Sequence, residues 1–239
     1  MLVGFLQFAP QLRSASENLG FIVSRLGSLR HAIVVLPELF LGSYRDPSPS
    51  EEDLERVLAP LIDLSHRRSL SIVGSLPVRA GDRTFNRAVA IDDGRLCAPV
   101  YDKVRLFEDE AVRFARGSSA DNVVELQGVR CCVQICLDVV DPIPAHRAAH
   151  AGAQVLLGPS TVSVDFLRTI HKARSLENQV VSVFCNRHGR EPVDGTAYLG
   201  RSAIFLPDGS EESAGRHDDR LTALTLHREK ILALPHQLP

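Results

Sequence analysis

Three of the chain's five cysteines lie within six residues, in the stretch VRCCVQICLDVVDP that runs from Val129 to Pro142. A free cysteine in an apolar segment usually packs in the core and does no chemistry. That interpretation covers four of the five, which are Cys97, Cys131, Cys132 and Cys185.

Cys136 differs because it follows the apolar run, where the sequence turns polar with Asp138 and Asp141 and then breaks at Pro142. In α/β proteins the carboxyl end of a strand that leads toward a helix is where reactive groups reach a ligand. We therefore predict that Cys136 is a nucleophile. Such a thiol needs a base that takes its proton and a positive group that stabilises the charge developing on the substrate oxygen.

A zinc site is the competing interpretation, because Cys132 and Cys136 are followed by His146 and His150. Four residues of extended strand span about 13 Å, whereas two thiolates on one zinc ion lie at most about 4.6 Å apart. No glycine-containing turn lies between the two cysteines to bring their sulfurs together. We therefore expect no metal at this segment.

Two other strand ends carry the groups that such a thiol needs. IVVLPELF places Glu38 directly after an apolar run, and VYDKVRLF places Lys103 at the end of another. Only three of the 27 basic residues are lysine, so a lysine here indicates that a compact ammonium group is required. Taken singly, Glu38 or Lys103 could belong to a structural ion pair. The three strand ends together favour a base and a cation beside Cys136.

Composition limits the possible partners. The 239 residues, 44% of them hydrophobic, suffice for one large core, and we expect a single domain over residues 1–239. The net charge is −2 and the basic residues are scattered, which argues against nucleic acid or an anionic membrane as partner. No apolar run reaches the ~18 residues that span a bilayer, and the N-terminus lacks a signal-peptide pattern. We expect a cytoplasmic protein with reduced cysteines that acts on a small molecule.

Apolar strands alternate with longer segments of helical periodicity. The expected strands are residues 2–8, 32–36, 70–78, 84–92, 97–103, 122–126, 129–135, 154–158, 180–186, 201–206 and 221–226. The expected helices are residues 14–29, 51–68, 144–151 and 164–178. Strands that occur singly between helices and also in hairpins predict an α/β fold with mixed sheets, most simply two sheets face to face with helices outside.

The motifs and their order resemble the nitrilase superfamily of carbon–nitrogen hydrolases. The matching segments cover nearly the whole chain and are GFLQFAPQL, LPELFLGSY, FNRAVAIDDGRLCAPVYDKVRLF, FARG, ICLDVVDP, HAGAQVLLGPS, ARSLENQVVSVFCNRHG and YLGRSAIFLPDGS. The resemblance implies a four-layer αββα sandwich. It also implies a catalytic set of Glu, Lys and Cys, carried here by Glu38, Lys103 and Cys136. Members of the family also carry a second glutamate shortly before a Phe-x-x-Gly turn, and the matching residue here is Glu110, in EAVRFARG.

The chemistry that this resemblance implies agrees with the roles assigned from the residues. Glu38 would take the thiol proton and Cys136 would attack a carbonyl carbon. Lys103 and the backbone N–H of Leu137 would stabilise the oxyanion, and Glu110 would orient substrate or water. No metal or organic cofactor is required.

The implied substrate is a small linear amide, whose C–N bond is hydrolysed to release ammonia or an amine. Substrate-binding side chains are expected at Tyr44, Val139 and Thr161. N-carbamoyl compounds are an alternative substrate class. Nitriles are disfavoured, because relatives that act on them usually carry Trp and then Glu after the cysteine, where this chain has Leu137 and Asp138. The resemblance also implies a homodimer or larger homo-oligomer built on the helices near the nucleophile.

Three other functions stay open. One is a thiol hydrolase whose base is one of the nine histidines. Another is acyl transfer to an amine instead of water, and the third is a non-catalytic binding relative.

Other polar residues receive structural interpretations. Asn86 and Asn186 would fix backbone near strand ends, and Asp138 would bind backbone N–H groups after the nucleophile. Arg174 and Glu177 would form an ion pair on a helix face.

Overall fold

A computed structural model describes residues 1–42, 47–97, 100–118 and 122–226. The helices in these ranges are α1 (Ala15–Leu26), α2 (Leu54–Arg68), α3 (Pro142–His150) and α4 (Phe166–Asn178). No helix in the described ranges is long and apolar enough to cross a membrane.

The strands in the same ranges are β1 (Leu2–Gln7), β2 (Ala32–Val35), β3 (Leu70–Ala80), β4 (Arg83–Asp92), β5 (Arg95–Leu96), β6 (Tyr101–Asp102), β7 (Val123–Leu126), β8 (Val129–Val133), β9 (Val155–Ser160), β10 (Val181–Asn186), β11 (His188–Arg190), β12 (Ala197–Leu199), β13 (Ala203–Phe205), β14 (Glu211–Ser213) and β15 (Arg220–Thr225).

The first sheet has the strand order β15-β1-β2-β3-β4-β5, and β6 also pairs with β4. Strands β1, β2 and β3 are parallel, and the remaining pairs are antiparallel. Strand β2 reads AIVV and is buried at every position, as expected for a central parallel strand that is covered on both faces. Helices α1 and α2 pack against this sheet through their apolar faces, among them Ile22, Leu26, Leu58 and Leu61.

The second sheet has the strand order β14-β13-β10-β9-β8-β7, with β8, β9 and β10 parallel. Helices α3 and α4 pack on it, while β1 faces β10 and β3 faces β9 across the interior. One apolar core fills the space between the sheets and continues beneath α3 and α4. The expected four-layer αββα sandwich with two mixed sheets is confirmed.

Several element boundaries differ from the predictions. Of the expected strand over residues 97–103, the described residues form only the two-residue β6, and residues 98–99 lie outside the described ranges. Strand β8 ends at Val133, earlier than residue 135, and Cys136–Val140 forms a 3₁₀ turn. The strands β11, β12 and β14 have three residues each, too few to show a strand pattern in the sequence, and β14 is exposed throughout.

Gly158 in β9 provides a test of the packing between sheet and helix. An added Cβ atom there would collide with the ring of His171 of α4, which is fully buried and has Nδ1 2.9 Å from Ser182 Oγ. Gly158→Ala is expected to destabilise the fold by about 1–3 kcal/mol, because overpacking forces its neighbours to shift. Urea unfolding measures the change.

The matched control is Gly20→Ala, since Gly20 lies in the exposed face of α1 and an added Cβ meets nothing within 4 Å. That variant is expected to stabilise the fold by about 0.5–1 kcal/mol. Shifts of both midpoints in the same direction would contradict the described packing around His171.

Candidate active site

The ends of four strands, drawn from both sheets, meet at one place. Glu38 lies three residues after β2, Lys103 directly after β6, Cys136 three residues after β8, and Thr161 directly after β9. The N–H of Glu38 donates to the carbonyl of Ser160 at 3.3 Å, and the Thr161 hydroxyl donates to the carbonyl of Glu38 at 3.2 Å. These bonds join the two sheets where the predicted site residues converge.

The Lys103 ammonium group lies between two carboxylates. Its Nζ is 2.6 Å from Glu38 Oε1 and 2.8 and 2.7 Å from the two oxygens of Glu110, and the side chain is 1% exposed. Burial alone would lower the pKa of Lys103, but the negative charges of its neighbours, Glu38 first and also Glu110, outweigh burial and raise it. Lys103 therefore stays positively charged at neutral pH.

Glu110 is held by the backbone as well as by the lysine. It lies in the 3₁₀ turn Glu108–Val112, where its Oε2 accepts the N–H of Phe107 at 2.8 Å. Burial and the charge of Glu38 raise the pKa of Glu110, while Lys103 acts in the opposite direction. Glu110 is therefore fixed beside the same ammonium group that Glu38 contacts.

Cys136 opens the 3₁₀ turn with a φ of 48°, in the left-handed region that non-glycine residues rarely adopt. Leu39, directly after Glu38, has a φ of 53°. Strained backbone of this kind often accompanies functional sites. Burial first, and then the charge of Glu38, raise the pKa of the Cys136 thiol well above its usual range, although Lys103 opposes them. The resting thiol is therefore protonated and needs a base to become a nucleophile.

The converging residues line one cavity of about 300 Å³. Its lining includes Glu38, Lys103, Glu110, Cys136, Leu137 and Thr161. Among its described lining residues there is no histidine, so the geometry favours Glu38 over a histidine as the partner of the thiol.

Of the expected substrate-binding residues, Thr161 lines the cavity, Val139 does not, and one lies outside the described residues. Val139 is fully buried and absent from the lining, because the turn after Cys136 directs it into the core. That expectation is wrong. Tyr44 lies outside the described residues.

Metal-ligand side chains do not cluster within the described ranges: no group of three or more His, Cys, Asp or Glu is placed to hold a metal ion. All five cysteines are free thiols.

Comparison with known proteins assigns this arrangement to a family. The family model described as carbon-nitrogen hydrolase matches residues 12–217. The chain belongs to the carbon-nitrogen hydrolase family. The predicted family and enzyme class are therefore confirmed.

Individual relatives of this carbon-nitrogen hydrolase span most of its length. A protein named "Hydrolase in pqqF 5'region" from Pseudomonas protegens is 30% identical over 213 residues, which cover 82% of this chain and 72% of that protein. The 2-oxoglutaramate amidase of Bacillus subtilis is 26% identical, with 99% and 95% covered. The crystal structure of an amidase from Nesterenkonia sp. superposes with a TM-score of 0.81 at 23% identity, covering 97% of this chain and 94% of that one. At that identity the structural likeness shows the fold alone.

Asn86 of this carbon-nitrogen hydrolase does more than fix backbone, contrary to the prediction. Its carbonyl accepts the N–H of Lys103 at 2.8 Å, and its side-chain Nδ2 donates to Glu38 Oε1 at 2.8 Å. The amide therefore orients the carboxylate that also contacts Lys103. Sequence reasoning missed this contact, because the burial of Asn86 inside strand β4, which requires a hydrogen-bond partner, appears only in the structure.

Backbone contacts hold the loops around the cavity of this carbon-nitrogen hydrolase. Asp138 accepts N–H groups from Val104 and Arg105, so it fixes the loop after Lys103 and not, as predicted, the loop after the nucleophile. Tyr101 donates to Asp138 at 3.1 Å and accepts the N–H of Ile135, which joins that loop to the segment leading to Cys136.

Two buried arginines support the same loops. Arg174 pairs with Glu177 at 2.7 Å, as predicted, and also donates to the carbonyls of Val139 and Val140 at 3.1 and 3.0 Å. Arg187 donates to the carbonyl of Glu38 at 2.6 Å. In the contacts described, the side-chain amide of Asn186 bonds only backbone groups, those of Val162 and Gly200, in agreement with its structural interpretation.

Asn86→Ala tests the orientation of Glu38. Loss of a hydrogen bond to a charged carboxylate is expected to lower kcat by about tenfold or more, since such bonds contribute about 1.5–3 kcal/mol. Steady-state kinetics measures the loss, and circular dichroism checks the fold. Asn186→Ala, another fully buried amide, is the control and is expected to lose stability with a smaller loss of kcat. Equal losses of kcat would mean that general packing, not Glu38, is affected.

Proposed function

We propose that this carbon-nitrogen hydrolase cleaves the C–N bond of a small linear amide through a thioester on Cys136, releasing ammonia or an amine. The observation that carries the proposal is the Lys103 ammonium held between Glu38 and Glu110 in the cavity that Cys136 lines. A base, a nucleophile and a cation are thus available side by side. The name of the Bacillus subtilis relative, an amidase, also supports an amide as the substrate class.

In the proposed first step, the Glu38 carboxylate takes the proton of the Cys136 thiol, and the sulfur forms a bond to the amide carbonyl carbon. The C=O electron pair moves to the oxygen. Lys103 and the backbone N–H of Leu137 stabilise the resulting negative charge. A protonated resting thiol agrees with this order of events, since the proton must leave as the bond forms.

The tetrahedral intermediate then collapses. The carbonyl re-forms, the C–N bond breaks, and the leaving nitrogen takes the proton from Glu38. A thioester remains on Cys136. Glu38 next removes a proton from water, whose oxygen attacks the thioester carbon. The C–S bond then breaks to release the acid, and the proton on Glu38 returns to the Cys136 sulfur, which restores the carboxylate and the thiol. In this scheme Glu110 holds Lys103 and orients substrate or water.

Ammonia release from a compound panel tests the proposal. The purified protein would be offered small amides, N-carbamoyl amino acids and nitriles. Mass spectrometry of the intact protein would measure the mass of any bound acyl group, and peptide mapping would identify the cysteine that carries it. Turnover of amides with an adduct on Cys136, and none on the buried Cys131, is expected. Failure to release ammonia or an amine from any compound, together with a Cys136 that iodoacetamide does not alkylate, would overturn it. An amine-linked acyl product would instead indicate acyl transfer.

A homo-oligomer, at least a dimer, is part of the proposal. Apolar side chains remain exposed on the helices that pack on the second sheet, at Ile143 of α3 and Leu176 of α4, with 48% and 41% exposure. Burial of such side chains between copies would stabilise an assembly. Light scattering measures the mass in solution, and a monomer at micromolar concentration would contradict this part.

We also place the protein in the cytoplasm. The supporting observation is that its cysteines are free thiols, four of them buried. Free thiols persist in a reducing compartment. Fractionation of cells that produce the natural protein would test the location.

A further inference from the structure

Most of the cavity wall beyond the reacting groups is apolar. Leu39, Leu137 and Leu167 line it, as do Phe107, Val164 and Phe166, which are 62%, 58% and 57% exposed and therefore lie at the mouth. The polar side chains in the described lining, apart from the reacting groups, are Thr161, Ser163, Asp194, Thr196 and Tyr198. A substrate that extends from Cys136 toward solvent would therefore contact mainly hydrocarbon.

Positive charge is scarce in the same wall. Among the described lining residues Lys103 is the one cation, and both Glu38 and Glu110 already bind its Nζ. The other charged lining residue in the described ranges is an acid, Asp194. A carboxylate on the substrate would lose its hydration here without gaining a cation from the described wall, which disfavours its binding.

The size of the cavity sets an upper limit on the substrate. A volume of about 300 Å³ lies at the small end for ligand sites. It corresponds to roughly ten water molecules at about 30 Å³ each.

We propose that the acyl half of the substrate is a neutral hydrocarbon chain of roughly three to six carbons, a size set by this cavity volume. The proposal rests on the amide hydrolysis proposed above and narrows its substrate class. It separates this chain from the Bacillus subtilis relative, because 2-oxoglutaramate, the substrate in that protein's name, carries a carboxylate at the end opposite its amide. Selectivity then comes from the mostly apolar wall, which in the described ranges offers no cation besides Lys103, and not from the catalytic groups.

Two amides of equal length test the proposal. Pentanamide and 5-amino-5-oxopentanoate differ only in whether the far carbon is a methyl group or a carboxylate. The neutral amide is expected to have at least about a tenfold higher kcat/KM, since burial of an unpaired carboxylate is strongly unfavourable. Within the series propanamide, butanamide and pentanamide, each added methylene should raise kcat/KM by up to about fourfold. A smaller or reversed preference between the two five-carbon amides would overturn the proposal.

A charge added to the wall provides the matched variant. Phe166→Arg places a cation at the mouth of the cavity. The ratio of kcat/KM for 5-amino-5-oxopentanoate to that for pentanamide is expected to rise by about fivefold, the largest effect usual for a partly exposed ion pair. Ala173→Arg makes the same change of charge on the same helix, at an exposed residue that does not line the cavity. That control should leave the preference unchanged. Equal shifts in both variants would overturn the role of the wall.

Binding separates this inference from the proposed function. Calorimetry with Cys136→Ala would measure the affinity of both amides without turnover. If the wild-type protein hydrolysed neither amide, tighter binding of pentanamide would still support the apolar wall, and the proposed hydrolysis alone would fail. If 5-amino-5-oxopentanoate bound more tightly than pentanamide, the proposed selectivity of the wall would be overturned, whether or not the protein hydrolyses either amide.

Discussion

Lys103→Met is expected to abolish measurable turnover and to weaken the fold at the same time. Glu38 and Glu110 both bind Nζ of this lysine, so its removal leaves two carboxylates facing each other without a cation. Removal of one partner from a buried charge group costs about 3–5 kcal/mol. Loss of a group that stabilises the oxyanion lowers kcat by about 10²–10³-fold. Urea unfolding and ammonia release measure the two effects.

Two further variants make this prediction specific. Lys172→Met removes another lysine, which is 40% exposed and pairs with Glu211 at 3.2 Å, and should cost less than about 1 kcal/mol. Lys103→Met combined with Glu110→Gln removes one of the two uncompensated carboxylates and should regain part of the stability but none of the activity. If Lys103→Met were as stable as the wild type, the ion cluster would not exist as described.

Glu38→Gln is expected to lower kcat/KM by about 10²–10⁴-fold, the usual contribution of a general base, while the fold is retained. Glutamine keeps the size of the side chain and an oxygen that can accept the bonds from Lys103 and Asn86. It cannot take the proton of the Cys136 thiol. Ammonia release and the rate of alkylation of Cys136 by iodoacetamide should therefore fall together.

Glu177→Gln is the control for this substitution. Glu177 is a largely exposed partner of Arg174 and does not line the cavity, so near wild-type turnover is expected. If Glu38→Gln kept most of the wild-type rate, a different base would be required, as in the histidine-based hydrolase considered from the sequence.

The architecture could be predicted because apolar runs and helical periodicity specify which segments are buried. Strands β3, β4, β9 and β10 lie where those runs predict them. Residues at separate strand ends were expected to converge, since the carboxyl ends of neighbouring strands share an edge. The structure places Glu38, Lys103, Glu110 and Cys136 in one cavity. Their catalytic roles stay predictions.

Local features that depend on three-dimensional packing could not be predicted. The role of Asn86 requires Glu38 to lie beside β4, and nothing in either segment specifies that proximity. Val139 was expected to bind substrate, but a 3₁₀ turn directs its side chain into the core. A hydrophobic run also does not reveal where a strand ends. The sequence therefore did not predict that the strand stops at Val133 or that Cys136 has a left-handed backbone conformation.

The left-handed backbone at Cys136 has a consequence for directed evolution. An L-residue in this region is less stable than glycine by about 1–2 kcal/mol, because its Cβ crowds the following carbonyl. A library screened only for survival of heating should therefore enrich glycine at position 136. Such a screen must include a measurement of catalysis in every round, or it will select proteins that are more heat-stable but catalytically inactive.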